Sequence, residues 1–380
     1  MRLRVPGFVE ELRRVRITAV RTRRLEWAVG LEVSLPVSLL RSLVGSADVS
    51  TLDLRPLPPL HQNGLADSLR LRAAFTEQPL VSRLPFSYQR VPPKVRWLIA
   101  RNIGSRLRTK QQSWAKFPDW PLDLSADFAS DWSATDPDVP APQPAPVLLT
   151  HDIDSPEGLR NLVELFLPVE EAAGARSTNY VVPCGWQLDH GLLREVTQRG
   201  HEIGVHGYDH SNRTAFLSAT ERRQRLTDGR AALEAYAPSG YRAPSLVRTS
   251  ELVEDLADYY RYDSSIPTSG GPFPVFNNGC ASARPFRIDR TLEIPITMRR
   301  DGSVQFLGYT PQEIGAMWEQ NAETIATARG VVMLLTHCEK RFSGNRPMLD
   351  TYRRFLEFAR CSPRFEWSTA SRVAAAAGPP

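Results

Sequence analysis

After residue 146 the chain alternates between short apolar runs and longer segments in which apolar residues recur at helical spacing. Short continuous apolar runs predict buried strands, and apolar residues spaced three and four apart predict helices. Strand-like runs lie at 147–150, 179–182, 202–205, 240–244, 262–266, 292–298 and 330–335, and helical spacing lies at 156–173, 191–199, 218–235, 249–260, 311–328 and 348–359. This alternation predicts a parallel α/β sheet, either open or closed into a barrel.

The first third of the chain has a different pattern. Apolar residues alternate with polar ones at 15–19 and again at 25–33, which predicts two strands. The segment 133–146 contains five prolines, which remove amide donors and favour extended backbone. We therefore divide the chain into a basic N-terminal extension of partly β structure (1–132), a proline-rich linker or strap (133–146) and an α/β domain (147–380).

Composition excludes several classes of protein. Of the 380 residues, 42% are hydrophobic and 23% are charged, unlike a disordered or collagen-like chain. The four cysteines are widely spaced and form no CxxC pair, so neither a disulfide framework nor a zinc ribbon is expected. We find no uninterrupted apolar stretch of about 20 residues and no secretory leader. These features predict a cytoplasmic protein without an integral membrane segment.

The positive charge is concentrated near the start of the chain. Residues 1–116 contain 21 basic and eight acidic residues. Such a segment could attract an anionic membrane surface or a phosphate-bearing substrate. Only four of the 47 basic residues are Lys, however, which also indicates a general bias towards Arg. We find no nucleic-acid-binding module, so binding to DNA or RNA is not expected.

Polar residues follow several of the apolar runs, and parallel barrels carry their chemistry at the carboxyl ends of strands. Asp152 and Asp154 follow the first run, and strand alternation predicts that both face the same side. His206 and His210 are four residues apart, which predicts that both imidazoles lie on one side of a helical turn. Taken singly, each pair is equally compatible with a helix cap or with surface histidines.

Taken together, these residues predict a catalytic metal site. Asp154, His206 and His210 would supply three protein ligands and leave a position for water, as in catalytic zinc sites. Asp152 would remain as a general base, and Arg242, after the strand-like run at 240, is available to keep it ionised. His337 closes another apolar run and could deliver a proton to a leaving group.

These segments, in this order, resemble the five motifs of the NodB-type polysaccharide deacetylases, carbohydrate esterase family 4. The matching segments are Thr150-His-Asp-Ile-Asp154, His206-Gly-Tyr-Asp-His210, Arg242-Ala-Pro244, Tyr262-Asp-Ser-Ser265 and Leu334-Leu-Thr-His337. The resemblance extends from residue 147 to about residue 373. It implies a distorted (β/α) barrel and metal-dependent hydrolysis of N-acetyl groups on amino sugars, most simply with zinc.

The resemblance also implies individual roles. Asp152 would be the base and His337 the acid, with Arg242 holding Asp152 and Asp263 orienting His337. The metal ligands would be Asp154, His206 and His210.

Two departures from the family pattern concern the first and third motifs. Ile153 separates two aspartates that are more commonly adjacent, and Ser245 stands where an aromatic residue usually follows the third motif. The backbone N–H of Ser245 could still help to bind an oxyanion. We place Tyr208 and Leu335 with Ser245 as predicted contacts to the substrate or its oxyanion.

Our leading hypothesis is a cytoplasmic, metal-dependent N-deacetylase in glycan or surface-polysaccharide synthesis. Its substrate would be a saccharide precursor containing an amino sugar. The basic extension is compatible with a precursor linked to phosphate or lipid and with peripheral contact with a membrane. An O-acetyl esterase or a deformylase acting on a lipid-linked sugar is an alternative within hydrolytic chemistry. A non-catalytic glycan-binding protein on the same fold is an alternative of a different class.

Overall fold

The computed structural model describes residues 12–19, 31–37, 40, 44–46, 48–53, 78–83, 91–115, 144–268, 283–327 and 330–378. The strands are β1 (Leu12–Ala19), β2 (Leu31–Pro36), β3 (Thr51–Asp53), β4 (Ala145–Ile153), β5 (Thr178–Val181), β6 (Glu202–His206), β7 (Gly240–Arg242), β8 (Tyr262–Asp263), β9 (Phe286–Ile288), β10 (Thr291–Glu293), β11 (Val332–His337) and β12 (Phe365–Ser368).

The α-helices are α1 (Leu80–Arg83), α2 (Pro93–Ala115), α3 (Pro156–Asn161), α4 (Leu167–Ala172), α5 (His190–Gln198), α6 (Ala219–Ala232), α7 (Ser250–Leu256), α8 (Asp301–Phe306), α9 (Pro311–Thr327), α10 (Arg346–Cys361) and α11 (Ala370–Ala376). A π-helical turn, Leu162–Phe166, joins α3 to α4, and 3-10 turns lie at Thr214–Phe216, Glu234–Tyr236 and Pro244–Leu246. In the part of the chain that the structure describes, no helix combines the length and the apolar character that a membrane span requires.

A nine-stranded sheet forms the centre of the fold. Its order is β11-β4-β5-β6-β7-β8-β10-β9, with β12 also beside β4, and every pairing is parallel except that of β9 with β10. The backbone after β10 returns to β11, where Met298 N donates to Met333 O at 3.2 Å. Thr297 Oγ1 adds bonds of 2.6 Å to Val331 O and 2.9 Å from Met333 N. The sheet therefore curls into the distorted (β/α) barrel that the sequence predicted.

Tyrosine side chains fill the barrel beneath the carboxyl ends of its strands. Tyr180 pairs with Asp152 on one side and with Gly204 on the other. A Cβ atom at Gly204 would lie 2.6 Å from Tyr180 Cδ1, so the glycine leaves the space that the ring occupies. The Tyr180 hydroxyl donates to the Tyr262 hydroxyl at 3.4 Å, and both residues are almost fully buried. The interior is therefore a packed core, which closes the barrel below its polar edge.

Most predicted elements of the α/β domain are present, with ends shifted by a few residues. Strands β9 and β12 and helices α8 and α11 were not predicted. For β12 and α8 the reasons are local. The β12 sequence Phe-Glu-Trp-Ser is short and half-buried, and α8 begins with Asp-Gly, which favours helices weakly. Their positions follow instead from pairing with β4 and from packing against β11.

The first third contributes a separate three-stranded sheet in which β1 pairs antiparallel with β2 and parallel with β3. The predicted strand at 15–19 lies within β1, whereas residues 25–30 of the second predicted strand lie outside the described residues. Helix α2 packs against α8. It is anchored by Arg108, whose Nη2 lies 3.1 Å from Glu313 Oε1 and whose guanidinium lies 3.8 Å from the centre of the Tyr309 ring.

The predicted linker lies mostly outside the described residues, at 133–143. Its last two residues, Ala145 and Pro146, belong instead to β4, where Ala145 N donates to Arg364 O at 2.7 Å. The first barrel strand thus begins two residues earlier than its apolar run indicated, and the wider division into domains stays a prediction.

Two buried carboxyl groups lie side by side on β8 and β10. Asp263 and Glu293 are paired across the two strands, and neither is exposed to solvent. Asp263 Oδ1 accepts from Ser265 Oγ at 2.6 Å, and Glu293 Oε1 accepts from Ile266 N at 2.8 Å. Burial raises the pKa of both groups, and the nearby Asp263 carboxylate raises the pKa of Glu293 further. Two such groups are most stable when they share one proton.

Replacement of Glu293 with Gln tests this shared proton. A carboxyl group whose pKa is raised by folding stabilises the native state at low pH, and that stability is lost as pH rises through the raised pKa. Glu293→Gln keeps the acceptor for Ile266 N and cannot ionise. The thermal midpoint of the variant should therefore increase relative to that of the wild type as pH rises above the ordinary carboxyl pKa of about 4. Thermal denaturation over a pH series measures the difference, and the exposed Glu254→Gln is the control. A difference that is the same at every pH would contradict the shared proton.

Candidate active site

The structure brings the three predicted metal ligands together. Asp154 follows β4, His206 ends β6, and His210 lies in the loop that follows. Asp154 Oδ1 lies 3.5 Å from His206 Nε2 and 3.3 Å from His210 Nε2. Each residue offers a ligand atom within 4.8 Å of the other two. The side chains therefore converge on a space of the size of one ion.

His210 reaches this position by a route that differs from the predicted one. The helical turn expected between His206 and His210 is wrong, because residues 207–213 form a loop. Gly207 adopts φ +65°, and a Cβ atom there would collide with the ring of Pro244. His210 itself has φ +56°, a conformation that costs a non-glycine residue about 1–3 kcal/mol and is concentrated at functional sites. The close approach of the Arg242-Ala-Pro244 segment therefore forces the loop.

Both histidines direct Nε2 towards Asp154. His206 Nδ1 donates to the backbone oxygen of Arg242 at 3.0 Å, which places the lone pair of this ring on Nε2. Burial lowers the pKa of His210 to about 4, so this imidazole is neutral at physiological pH. Burial opposes ionisation of Asp154, yet the neighbouring His210 and His206 hold its pKa below the usual value. Asp154 and His210 are thus in the protonation states that bind metals, and His206 presents the lone pair of Nε2 to the same space.

These residues fit a divalent cation. Asp154 Oδ1 is buried, and none of the described residues donates a hydrogen bond to it. A buried carboxylate oxygen without a donor is costly unless a cation compensates it. Two imidazole nitrogens and one carboxylate oxygen are a donor set typical of catalytic zinc, and the same set also accepts iron, cobalt, nickel or manganese.

Asp152, the predicted base, contacts both the metal ligands and Arg242. Its Oδ1 accepts from Arg242 Nη1 at 3.0 Å, and its Oδ2 lies 3.6 Å from His206 Nε2. Burial would raise the pKa of Asp152, but the nearby His206 and Arg242 outweigh it and hold the pKa well below the usual range. The carboxylate is therefore ionised, with one oxygen held by Arg242 and the other facing the metal ligands.

Arg242 is completely buried and its nitrogens are distributed among several partners. Nη1 also donates to Thr150 Oγ1 at 3.0 Å, while Nε and Nη2 donate to the carbonyl and hydroxyl oxygens of Ser264 at 3.0 and 2.9 Å. The guanidinium lies 4.0 Å from the centre of the Tyr180 ring. These contacts fix the side chain in one orientation.

His337, the predicted acid, lies beside Asp152 in the sheet, since the two residues are paired between β11 and β4. Its Nδ1 lies 2.7 Å from Asp301 Oδ1, and its backbone N donates to Asp301 Oδ2 at 2.8 Å. Burial alone would lower the pKa of His337, but the Asp301 carboxylate raises it to about 9. The imidazole is therefore protonated at neutral pH, with Nδ1–H directed to Asp301.

The predicted contact between Asp263 and His337 is wrong. Arg242 points into the barrel and bonds Ser264, so Asp263, one residue earlier on β8, points to the opposite face. There it forms the pair with Glu293. Asp301, instead of Asp263, is the carboxylate that contacts His337. The only sequence signal for Asp301 is that an acidic residue follows shortly after the apolar run at 292–298.

A second residue that sequence reasoning missed is Glu339. Its Oε1 accepts from Ser155 Oγ at 2.7 Å, and its side chain is buried next to the metal ligands. Burial raises the pKa of Glu339 and the nearby Asp154 carboxylate raises it further. Its position two residues after the fifth motif could have drawn attention to it.

The three predicted substrate contacts occupy different surroundings. Ser245 has φ +53°, and its hydroxyl accepts from Asn212 Nδ2 at 3.1 Å, which ties it to the loop of His210. The Tyr208 ring lies 4.8 Å from the guanidinium carbon of Arg225. Leu335 is fully buried in the inner hydrophobic cluster, two residues before His337. Their roles towards a substrate stay predictions.

Comparison with known proteins gives matches to the part of the chain that contains most of these residues. Residues 140–261 match the family model described as polysaccharide deacetylase. A structure from Mycobacterium smegmatis assigned to the polysaccharide deacetylases is 22% identical, with 62% of this chain and 91% of that chain covered and a TM-score of 0.51. This likeness shows a shared fold.

Two further structures are similar at lower TM-scores. One, from Pseudomonas aeruginosa PAO1 and also assigned to the polysaccharide deacetylases, is 14% identical over 61% of this chain and 90% of that chain, with a TM-score of 0.47. The chitin deacetylase of Colletotrichum lindemuthianum is 17% identical over 61% and 88%, with a TM-score of 0.40. A comparison with curated proteins gave no match.

Removal of one imidazole tests the metal site. His206→Ala deletes a ligand whose other nitrogen is already bound to Arg242 O, so bound metal should fall far below the wild-type stoichiometry. Elemental analysis of the purified protein measures this, and the exposed His190→Ala is the matched control. Wild-type metal content in His206→Ala would place the metal elsewhere.

Replacement of Asp301 with Asn tests how His337 is kept protonated. Asn removes the charge that raises the pKa of His337, and loss of an adjacent opposite charge typically moves a pKa by about one to three units. Because the acid must be protonated to act, the basic limb of the pH–rate profile should move to lower pH. A variant that is slower at every pH with an unmoved basic limb would argue against this role.

Proposed function

We propose that the protein is a metal-dependent hydrolase that removes an N-acetyl group from an amino sugar. The match of residues 140–261 to the polysaccharide deacetylase family model supports this proposal. The observation that carries this proposal is the set of complementary groups at one edge of the barrel. Asp152, His337 and the three residues Asp154, His206 and His210 lie at the carboxyl ends of the parallel strands β4, β6 and β11 or just beyond them.

Asp154, His206 and His210 would hold the cation. When bound there, a divalent metal such as zinc supplies Lewis-acid polarisation of the acyl carbonyl and lowers the pKa of a water molecule. Among the residues that the structure describes, no other group of three metal-ligating side chains lies close enough together to hold one ion.

The proton transfers are assigned to Asp152 and His337. Asp152 Oδ2 would accept the proton of the attacking water, because its partner oxygen Oδ1 is occupied by Arg242. His337 Nε2 would donate a proton to the leaving nitrogen, because Nδ1 is directed to Asp301. Opposite environments favour this division, since the pKa of Asp152 is lowered and that of His337 is raised to about 9.

The backbone N–H of Ser245 is our candidate for an oxyanion donor, and Tyr208, on the loop of His210, is a candidate substrate contact. The left-handed conformation of Ser245 turns the chain directly after Pro244, close to the metal ligands. Strained backbone at such a position is characteristic of functional sites.

For the substrate we propose a saccharide precursor in glycan or surface-polysaccharide synthesis, processed in the cytoplasm. The 21 basic residues among residues 1–116 favour a precursor that carries phosphate or lipid. The same catalytic groups would serve an O-acetyl esterase or a deformylase, so the acyl group and its linkage must be measured. A purely glycan-binding role is less well supported, because base, ligands and acid are all present.

The proposal is tested by acetate release. The metal-loaded protein is incubated with N-acetylated amino-sugar oligosaccharides, with their O-acetylated counterparts and with N-formylated sugars. We expect acetate from the N-acetylated set, and a decrease of about a hundredfold or more for Asp152→Asn, as for loss of a general base. The exposed Asp258→Asn, whose carboxylate pairs with Arg290, should retain wild-type turnover. Release of the acyl group from the O-acetylated or the N-formylated set alone would contradict N-deacetylation and indicate an esterase or a deformylase. Absence of release from all three sets would favour a binding protein.

A further inference from the structure

Helix α2 (Pro93–Ala115) carries an unusual exposed stripe. Val95, Leu98, Ile99 and Ile103 are 44%, 56%, 52% and 48% exposed. Their spacing of three, four and eight residues from Val95 places them on one face of the helix. Large aliphatic side chains grouped on an exposed face mark an interaction surface.

The opposite face of the helix is the one that binds the rest of the protein. Gly104 is buried there, and Arg108 reaches Glu313 and Tyr309. Because the anchoring residues and the aliphatic stripe lie on opposite sides, the stripe is directed away from the barrel.

The charge along helix α2 has a single sign. Helix α2 contains six basic residues and no acidic residue, and no acidic residue occurs anywhere between Glu77 and Asp119. Lys94, Arg101 and Arg106 are exposed. At helical spacing Arg106 falls three residues after Ile103 and seven after Ile99, within the stripe itself.

We infer that this face of α2 docks onto an anionic lipid bilayer. An interfacial helix inserts aliphatic side chains at the boundary of the acyl chains while its basic residues reach the lipid phosphates. Long arginine side chains can lie along apolar surface and keep their charge in the head-group layer, which suits Arg106 within the stripe.

Other occupants fit this face less well. A protein partner would have to place acidic side chains opposite these basic residues, and Asp and Glu are depleted in protein interfaces. A nucleic acid would bind the cations and leave four aliphatic side chains without a partner. Docking is independent of the proposed deacetylation, so the two can fail separately.

Vesicle binding by the full-length protein tests this inference. The probes are vesicles of phosphatidylcholine alone and of phosphatidylcholine mixed with phosphatidylglycerol, separated by sedimentation. We expect binding to the anionic vesicles only, weakened by added salt because salt screens exposed charges. The catalytic variant Asp152→Asn should bind them as the wild type does.

Paired variants separate the two components of the surface. Arg101→Gln/Arg106→Gln should weaken the partition coefficient about tenfold or more, because each basic residue near an anionic surface contributes a factor of about five. Leu98→Ser/Ile99→Ser should also weaken it, with an unchanged thermal midpoint since both side chains are exposed. The control Arg353→Gln/Arg360→Gln removes equal charge from exposed positions on α10 and should bind normally.

Equal binding by all variants, or an equal loss in the α10 control, would overturn the assignment to α2. Absence of vesicle binding would overturn the proposal itself. A wild-type dimer that Leu98→Ser/Ile99→Ser dissociates, without binding to lipid, would assign the stripe to a second copy of the chain instead.

Discussion

The arrangement of the active-site edge depends on the buried guanidinium of Arg242. A charge without access to water is destabilising unless it is paired and hydrogen-bonded, so its partners must be held in place as firmly as the arginine itself. Asp152, Thr150 and Ser264 provide those partners from two other strands. The backbone oxygen of the same residue accepts from His206 Nδ1. One residue therefore orients the proposed base and also selects the imidazole nitrogen that faces the proposed metal site.

The parallel sheet places the proposed acid directly beside the proposed base. His337 and Asp152 are neighbours across β11 and β4, yet Asp301 raises the pKa of one while Arg242 and His206 lower that of the other, despite burial of both. Two titratable groups in adjoining positions are thereby held in opposite protonation states at neutral pH. The distinction comes from their partners, since both groups occupy equivalent strand ends.

The sequence predicts those features that depend on residues close together in the chain, and it misses those that depend on contacts between distant residues. Asp152, Asp154 and His206 lie at strand ends that are visible as apolar runs, and alternation along a strand is a local property. The partner of His337 was mispredicted because it depends on packing: Asp301 begins a helix with weak local propensity, 36 residues before the histidine. Asp263 stands in a family-like motif, but the neighbouring Arg242–Ser264 contact turns it to the outer face. The loop of His210 was missed because its turn depends on contact with Pro244.

The contact between α2 and α8 links the N-terminal third to the chemistry. The proline-rich boundary at 133–146 suggests an extension that is separate from the barrel, but Arg108 of α2 contacts Tyr309 and Glu313, just after α8. Helix α8 begins at Asp301, the residue that binds both the ring and the backbone of His337. A displacement of α2 against α8 would therefore reach the proposed acid through one short helix. The part of the chain with the least regular sequence pattern thus supports the element that sets the protonation of His337.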